Sequence, residues 1–355
     1  MNSSLRTAVW TAAFTILMTS LTAHAQWWNN RAPNVRIPGD SIIAPPAGAE
    51  AAYTRKDFGQ ASSIAVTALY DDDFAKMERM HDEFLQTGVR ATHGLFMVEA
   101  IQSGWDDQFR GDADVYKPFF DRWQRAVPQS RLRDLLAAIK WQRQAWEARG
   151  GASASNVPGE SMNLFRERLA LAAKTLKDSE PSGRESPIWY WVALIVAGSS
   201  GLPAAQFDSL FEEGVNRFPY YHTLYLTRMN YLLPQWGGSY DAVDAFIAKA
   251  VERTREKDGE AFYAWLYVDV ARKFRGDLFT GTLASWPRMK KGFEDMLARY
   301  PDEWNKNLFA TFACRARDKE TTGRLITELG TAASLGAWSP GFTTESCRRF
   351  AFSPA

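Results

Sequence analysis

Residues 232–239 read LLPQWGGS and separate two segments that have the apolar spacing of amphipathic helices. Apolar residues recur every three or four positions on both sides, at Tyr221, Leu224, Tyr225 and Leu232 before the stretch and at Val243, Phe246, Ile247, Ala250 and Val251 after it. Pro234 lacks a backbone donor and stops the first helix, and the two glycines after Trp236 permit a left-handed turn. Ser239 can cap the second helix. The stretch therefore predicts a helical hairpin, with Trp236 filling a buried site at its turn.

Residues 1–25 have the features of a secretory signal peptide. Arg6 precedes a mostly apolar run over residues 8–23, and residues 23–25 form an Ala-x-Ala cleavage signature. A transmembrane anchor is the alternative, but the run is shorter than the roughly 20 residues that a span requires. We expect cleavage and a periplasmic or secreted protein with no membrane span after it.

The charge of the mature chain is balanced. Removing the signal takes one basic residue, Arg6, from the 42 Lys and Arg, so that 41 basic residues face 41 acidic ones. Because no long run of either sign remains, nucleic-acid binding through the phosphate backbone is disfavoured. The 46% hydrophobic content is ordinary for a globular protein with a large core.

The chain has two cysteines, Cys314 and Cys347, and both lie near its carboxyl end. Since an exported protein folds where thiols oxidise, one disulfide between them is the natural interpretation. Two separately buried thiols are the alternative.

The domain organisation follows from the distribution of proline and glycine. Residues 26–59 contain four prolines and several glycines without helical periodicity, which predicts a linker or an extended arm. Helical spacing then continues through residues 60–355, whereas alternating strand patterns with hairpin turns do not occur. We expect one all-α domain of about fourteen helices.

An internal repeat indicates how these helices are arranged. Residues 211–219, FEEGVNRFP, are echoed by residues 293–301, FEDMLARYP, at a separation of 82 residues, and a weaker echo covers residues 120–128. Two helical hairpins of about 41 residues fit that interval, which is somewhat longer than the tetratricopeptide period. The repeat predicts stacked helical hairpins in a tetratricopeptide-like α-solenoid.

Several segments together resemble a bacterial family of exported, tetratricopeptide-like proteins that is defined only as a domain of unknown function. The segments are residues 123–130, 145–150, 233–239, 300–305 and 309–314, with Asp318 after the last of them. The resemblance spans most of the mature chain and implies the same stacked-helix fold. It implies no activity.

Motifs for a phosphate-binding loop, a nucleophile elbow, a zinc protease helix or paired zinc cysteines are absent from the sequence. The mature chain has three dispersed histidines, which disfavours a histidine-rich metal site. We therefore expect no cofactor and no metal.

Charged and aromatic residues in the central helices are the candidate binding residues. Arg228 and Asp269 lie within largely apolar helical segments, so each must find a partner if it is buried. A structural bridge between them is one interpretation, and a shared groove that receives a ligand is the other. We place a functional surface on the first helices of successive hairpins, at Tyr225, Arg228, Tyr263, Tyr267 and Asp269.

Two functions fit these features. The first is an exported helical-repeat module that binds a protein or peptide on a concave face and has no catalytic activity. The second is an α/α-toroid enzyme that acts on a polysaccharide, suggested by export, by 13 tryptophans in the mature chain and by abundant acidic residues. Such an enzyme needs two carboxylates about 5 to 9.5 Å apart, which sequence cannot place.

Overall fold

The computed structural model describes residues 53–111, 113–331, 335–339 and 341–353. The predicted signal peptide, residues 1–25, and most of the predicted arm lie outside the described residues. The described part of the chain contains 17 α-helices and no named strand, so the predicted all-α fold of stacked helical hairpins is confirmed. Two of the helices are single turns of four residues, which is one reason why the expected number of about fourteen was too low.

The helices, numbered along the chain, are α1 (Arg55–Tyr70), α2 (Phe74–Thr87), α3 (Met97–Asp106), α4 (Lys117–Ala126), α5 (Arg131–Arg149), α6 (Gly159–Asp178), α7 (Glu180–Gly183), α8 (Pro187–Ser199), α9 (Ala204–Arg217), α10 (His222–Asn230), α11 (Tyr240–Asp258), α12 (Ala261–Lys273), α13 (Leu278–Gly281), α14 (Trp286–Arg299), α15 (Glu303–Arg315), α16 (Lys319–Leu329) and α17 (Thr344–Phe352). Short 3₁₀ turns occur at Ala113–Tyr116, Ala154–Asn156, Pro234–Trp236 and Leu335–Ala337.

The chain divides into two compact units. Of the described residues, 53–90 and 95–231 form unit 1, and 91–94 and those from 232 to 353 form unit 2. In unit 1, α5 packs against α3, α4, α6 and α8, and α8 also contacts α6, α9 and α10. Helix α8 is apolar on all sides and its first ten residues are buried, as expected for a helix enclosed by neighbours.

In unit 2, α12 packs against α11 and α14, and α17 packs against α15 and α16. Helix α14 contacts α11, α12 and α15, and α15 contacts α16 and α17. The segment Ala91–Gly94 belongs to this unit because Thr92 donates a hydrogen bond to Asp302 at 2.9 Å, and Gly94 lies against Trp265. Gly94 has φ +96°, and a Cβ there would lie 2.5 Å from the Trp265 ring, so the approach requires glycine.

The predicted repeat has a structural basis in the residue that follows each helix. Val127, Phe218 and Tyr300 follow the last residues of α4, α9 and α14, and each precedes a proline. Their backbone angles are nearly the same, with φ of −134°, −129° and −132° and ψ of 83°, 65° and 73°. Proline excludes the helical region for the residue before it, so all three helices end in the same extended turn.

The turn at residues 232–239 is confirmed in part. Ser239 caps α11 by accepting from the Ala242 amide at 3.1 Å, and Gly237 is left-handed with φ +85°. However, α10 already ends at Asn230, and the two flanking helices belong to different units. Trp236 is only partly buried, so the expectation that it fills a buried site is met in part.

The first helix begins earlier than the predicted arm boundary at residue 59. Helix α1 starts at Arg55 because Thr54 and Asp57 form a capping box, in which the Thr54 hydroxyl accepts from the Asp57 amide. The Asp57 carboxylate accepts in return from the Thr54 amide at 2.7 Å. A local cap of this kind needs no apolar periodicity, which explains why the helix start was missed.

The predicted disulfide is confirmed. Cys314 on α15 and Cys347 on α17 are bonded, with their Cα atoms 5.7 Å apart. Ile326 of α16 is buried beside them, and Trp338, Phe342 and Phe350 pack around this centre. The bond therefore fastens the last helix to the preceding hairpin.

We predict that the two glycines of the central turn differ in their tolerance of alanine. A Cβ on Gly238 would lie 1.9 Å from the carbonyl oxygen of Leu232, so Gly238→Ala must displace backbone and should cost about 3 kcal/mol or more. Gly237→Ala meets no atom within 4 Å and should cost only the left-handed strain, about 1 to 2 kcal/mol. Urea unfolding of both variants measures this, and equal losses would contradict it.

Candidate functional site

The predicted residues Tyr263 and Tyr267 lie together, but they are buried. Each is 1% exposed, and their ring centroids are 4.8 Å apart on α12. The Tyr267 hydroxyl donates to Asp244 of α11 at 2.5 Å, and the Tyr263 hydroxyl accepts from the Ser285 amide at 3.0 Å. Burial, followed by the bond to Asp244, raises the pKa of Tyr267 above its ordinary range. Both rings thus join α12 to its neighbours.

Tyr225 is also a packing residue. It is 1% exposed, its hydroxyl donates to the Pro219 carbonyl at 2.8 Å, and its ring meets Phe211 edge-on with centroids 5.5 Å apart. The hydroxyl therefore holds the turn before α10 against that helix. Tyr225 lies in unit 1, whereas Tyr263 and Tyr267 lie in unit 2.

Arg228 and Asp269 have partners other than each other. Arg228 binds Asp208 of α9 through Nε and Nη2 at 2.7 Å, and its guanidinium lies 5.1 Å from the centroid of Phe207. Asp269 accepts a hydrogen bond from Lys273, one turn along α12. Arg228 and Asp269 therefore belong to two separate ion pairs, each of which lies within one unit.

The pair of Asp269 and Lys273 is a buried one. The side chains are 8% and 2% exposed, so both charges are removed from water. Burial lowers the pKa of Lys273, and the attraction of Asp269 opposes that effect. A buried pair of this kind is costly to break but contributes little on balance, which makes a structural role the simplest account of Asp269.

An open groove between α16 and α17 offers an accessible surface. It has a volume of about 700 Å³ and is lined by Lys319, Glu320, Gly323, Arg324, Thr327, Glu328, Ala351 and Phe352. The α16 residues recur at helical spacing on the face opposite to its buried residues. Phe352 is 58% exposed, so a large aromatic ring meets solvent at this groove.

The narrow side of the groove is set by Gly323. A Cβ at this position would lie 3.8 Å from the Cβ of Ala351 and from Cε1 of Phe352, which is ordinary contact. A Cβ at Gly323 would therefore narrow the groove without displacing backbone. The rim carries both signs of charge, since Arg324 pairs with Glu328 at 2.9 Å.

Asp318 fixes the start of α16. Its carboxylate accepts from the amide and hydroxyl of Thr321, from Trp286 Nε1 at 3.1 Å and from Lys290 Nζ at 3.0 Å. Partial burial would raise the pKa of Asp318, but these hydrogen bonds outweigh it and lower the pKa to about 2. The cap therefore links α16 to α14 and supports the groove.

The described residues contain neither a candidate metal site nor a candidate membrane span. No group of three or more His, Cys, Asp or Glu side chains there could hold a metal ion. In the same part of the chain, no helix combines the length and the apolar character that crossing a bilayer requires.

Sequence reasoning missed a polar run on α5. Lys140, Arg143 and Gln144 are 5%, 7% and 0% exposed, although they would be expected on a solvated face. The sequence did indicate these residues, because they lie among the leucines of this helix. As for Arg228, a charged residue in an apolar segment must find a partner if it is buried. No sequence pattern indicated the groove, because its shape depends on how α17 packs against α16.

We predict that Asp269→Ala destabilises the protein by about 3 to 5 kcal/mol, because the buried Lys273 loses the carboxylate with which it pairs. The double variant Asp269→Ala, Lys273→Met should lose less than the single variant. Asp178→Ala is the control, because its pair with Lys174 is exposed and should contribute under about 1 kcal/mol. Urea unfolding of the three variants would contradict this interpretation if the double variant were the least stable.

We predict that Asp318 makes unfolding sensitive to acid. Its folded pKa lies below the ordinary value, so the stabilisation is complete above about pH 4 and is lost as the pH falls towards 2. The loss amounts to about 2 kcal/mol. Asp318→Asn keeps a capping side chain but cannot titrate. Unfolding free energies of both proteins between pH 2 and pH 6 should converge at low pH, and parallel curves would refute the assignment.

Comparison with models of known protein families, with curated proteins and with solved structures finds no match for this chain. The resemblance to a bacterial exported family therefore stays a prediction. What the structure establishes is an all-α fold of stacked helical hairpins, a disulfide between its last helices and an open groove beside them.

Proposed function

We propose that this chain is an exported helical-repeat protein that binds a peptide segment of a protein partner in the groove between α16 and α17, without catalysis. The observation that carries the proposal is the Phe352 ring, which is 58% exposed at an open groove of about 700 Å³. Exposed aromatic rings beside a concave apolar surface are typical of residues that dominate binding energy.

The shape of the groove favours a peptide over a small molecule. It is open along α16, where the exposed residues from Glu320 to Glu328 form two turns of one helical stripe. An apolar side chain of a peptide can enter between Gly323 and Phe352, and its polar neighbours can meet the charged rim. Because the rim contains both acidic and basic residues, the partner segment carries an apolar anchor with mixed flanking charges.

The disulfide supports this function by holding the groove in shape. Cys347 lies on the helix that supplies Ala351 and Phe352, and it is bonded to Cys314 on α15. A wall that is already fixed loses less conformational entropy when a ligand binds. The disulfide is also compatible with an oxidising compartment, in agreement with the signal peptide that the sequence predicts.

The proposed binding function is tested by selecting peptides from a displayed random library on the oxidised mature chain. The dissociation constants of the selected peptides are then measured on Phe352→Ala and on Gly323→Leu. Each substitution should weaken binding by about thirtyfold, as expected for the loss of an aromatic anchor site. Neither should lower the melting temperature much, because Phe352 is mostly exposed and a Cβ at Gly323 makes only ordinary contacts.

Leu283→Ala is the matched control, because Leu283 is a large hydrophobic residue of the same unit that is 50% exposed and does not line the groove. It should leave the affinity unchanged. A library that yields no ligand, or ligands whose affinity resists both groove substitutions, would contradict the proposed function.

A further inference from the structure

The floor of the groove, formed by Gly323 and Thr327 of α16, needs no polar partner. Gly323 has no side chain, and the Thr327 hydroxyl donates to the Gly323 carbonyl at 2.8 Å. Ala351 and Phe352 of α17 line the groove beside this floor. Because the Thr327 hydroxyl is already bonded within α16, a ligand need not supply a hydrogen bond there. The floor is therefore suited to the apolar face of a ligand.

Both walls of the groove are α-helices, and this limits the conformation of a bound peptide. Gly323 and Thr327 lie within α16, where each backbone N–H bonds to the carbonyl four residues earlier. The groove therefore has no sheet edge with which an extended peptide could pair. An extended peptide would bury backbone groups on the floor without partners, whereas an α-helix satisfies its own backbone groups. The walls thus favour a helical ligand.

The lining residues of α16 have the spacing of a helix–helix contact. Glu320, Gly323, Arg324 and Thr327 occupy positions i, i+3, i+4 and i+7. They extend over about 10 Å along one face of α16, which is also the distance between residues seven positions apart in a bound helix. Gly323 leaves a gap between its neighbours, in which a side chain of a second helix can sit.

The rim of the groove contains one carboxylate that has no partner. Arg324 pairs with Glu328 at 2.9 Å, and Lys319 donates to the Ser353 carbonyl at the end of α17. Glu320 is exposed and has neither an ion pair nor a hydrogen bond with another side chain of the described residues. The other charges of the rim are thus engaged within the fold. A cation of the ligand would complement Glu320.

We propose that the groove binds an amphipathic α-helix of the partner, with apolar residues against Gly323 and Phe352 and a basic residue opposite Glu320. This inference rests on the proposed binding function and specifies its ligand. Helix α16 packs against α15 and α17 but leaves the stripe from Glu320 to Thr327 open. The bound helix takes the place that a further helix would have in a longer stack.

Two displayed libraries, selected on the oxidised mature chain, separate helical from extended ligands. Both contain peptides of about 18 residues, which is long enough for a helix. The first has randomised apolar residues at helical spacing, and the second has random sequence around two central prolines, which interrupt a helix. Ligands that lose affinity for Phe352→Ala should come from the first library. Proline on the face of such a ligand that is turned away from the groove should weaken binding about a hundredfold, whereas alanine there should not.

Charge reversal tests the position of the basic residue. Glu320→Lys should weaken binding of a selected ligand about tenfold at low salt. The same peptide with its basic residue changed to glutamate should regain most of that affinity on Glu320→Lys. Glu294→Lys is the matched control, because Glu294 is an exposed acid of the same unit that does not line the groove. It should leave the affinity unchanged.

The outcomes distinguish this inference from the binding function on which it rests. Ligands that come only from the proline library, yet lose affinity for Phe352→Ala, would overturn the helical ligand and leave the binding function intact. If neither library yields a ligand, both are overturned. Equal affinity of a helical ligand for Glu320→Lys and Glu294→Lys would overturn the position assigned to its basic residue.

Discussion

The steric conflict between a proline and the residue before it is the constraint on which the helical stack depends. It excludes the helical conformation at Val127, Phe218 and Tyr300, so three helices end in the same extended turn. The next helix then starts within a few residues, capped by Ser130 before α5 and by Asp302 before α15. Because the turn is fixed by covalent geometry, the hairpins can vary in sequence and still repeat in structure.

Because the helices stack, the inner ones are covered on more than one side. Their polar side chains are therefore buried and need partners inside the protein. All but two of the thirteen residues of α12 are buried, so Asp269 and Tyr267 must find partners within the fold. They find them in Lys273 and Asp244. The same condition applies to α5, where Arg143 reaches Asp107 at 2.6 Å. Polar residues on covered helices therefore bind first to other groups within the fold, and a surface for partners must be sought elsewhere.

The sequence predicted what depends on local spacing and missed what depends on the packing of distant segments. The all-α class, the repeat and the disulfide follow from periodicity, from proline and from two cysteines, and all three are confirmed. The surface proposed at Tyr225 and Tyr263 required knowing which face of a helix meets water. A helical pattern shows only which residues share a face. Of the five side chains that the pattern grouped together, four are buried and Arg228 is partly buried.

A helix at the end of a stack has one face that no other hairpin covers, unlike a helix in the interior. Helix α16 buries one face, including Leu325 and Ile326, against its neighbours, and its opposite face meets no further hairpin of the described residues. A terminal repeat needs a polar outer face because that face meets water. Glu320, Arg324 and Glu328 form such a face on α16. The nine-residue α17 covers the edge of that face only in part, so a groove remains beside Phe352. A helix this short is marginal in isolation, which explains why a disulfide to α15 holds it in place.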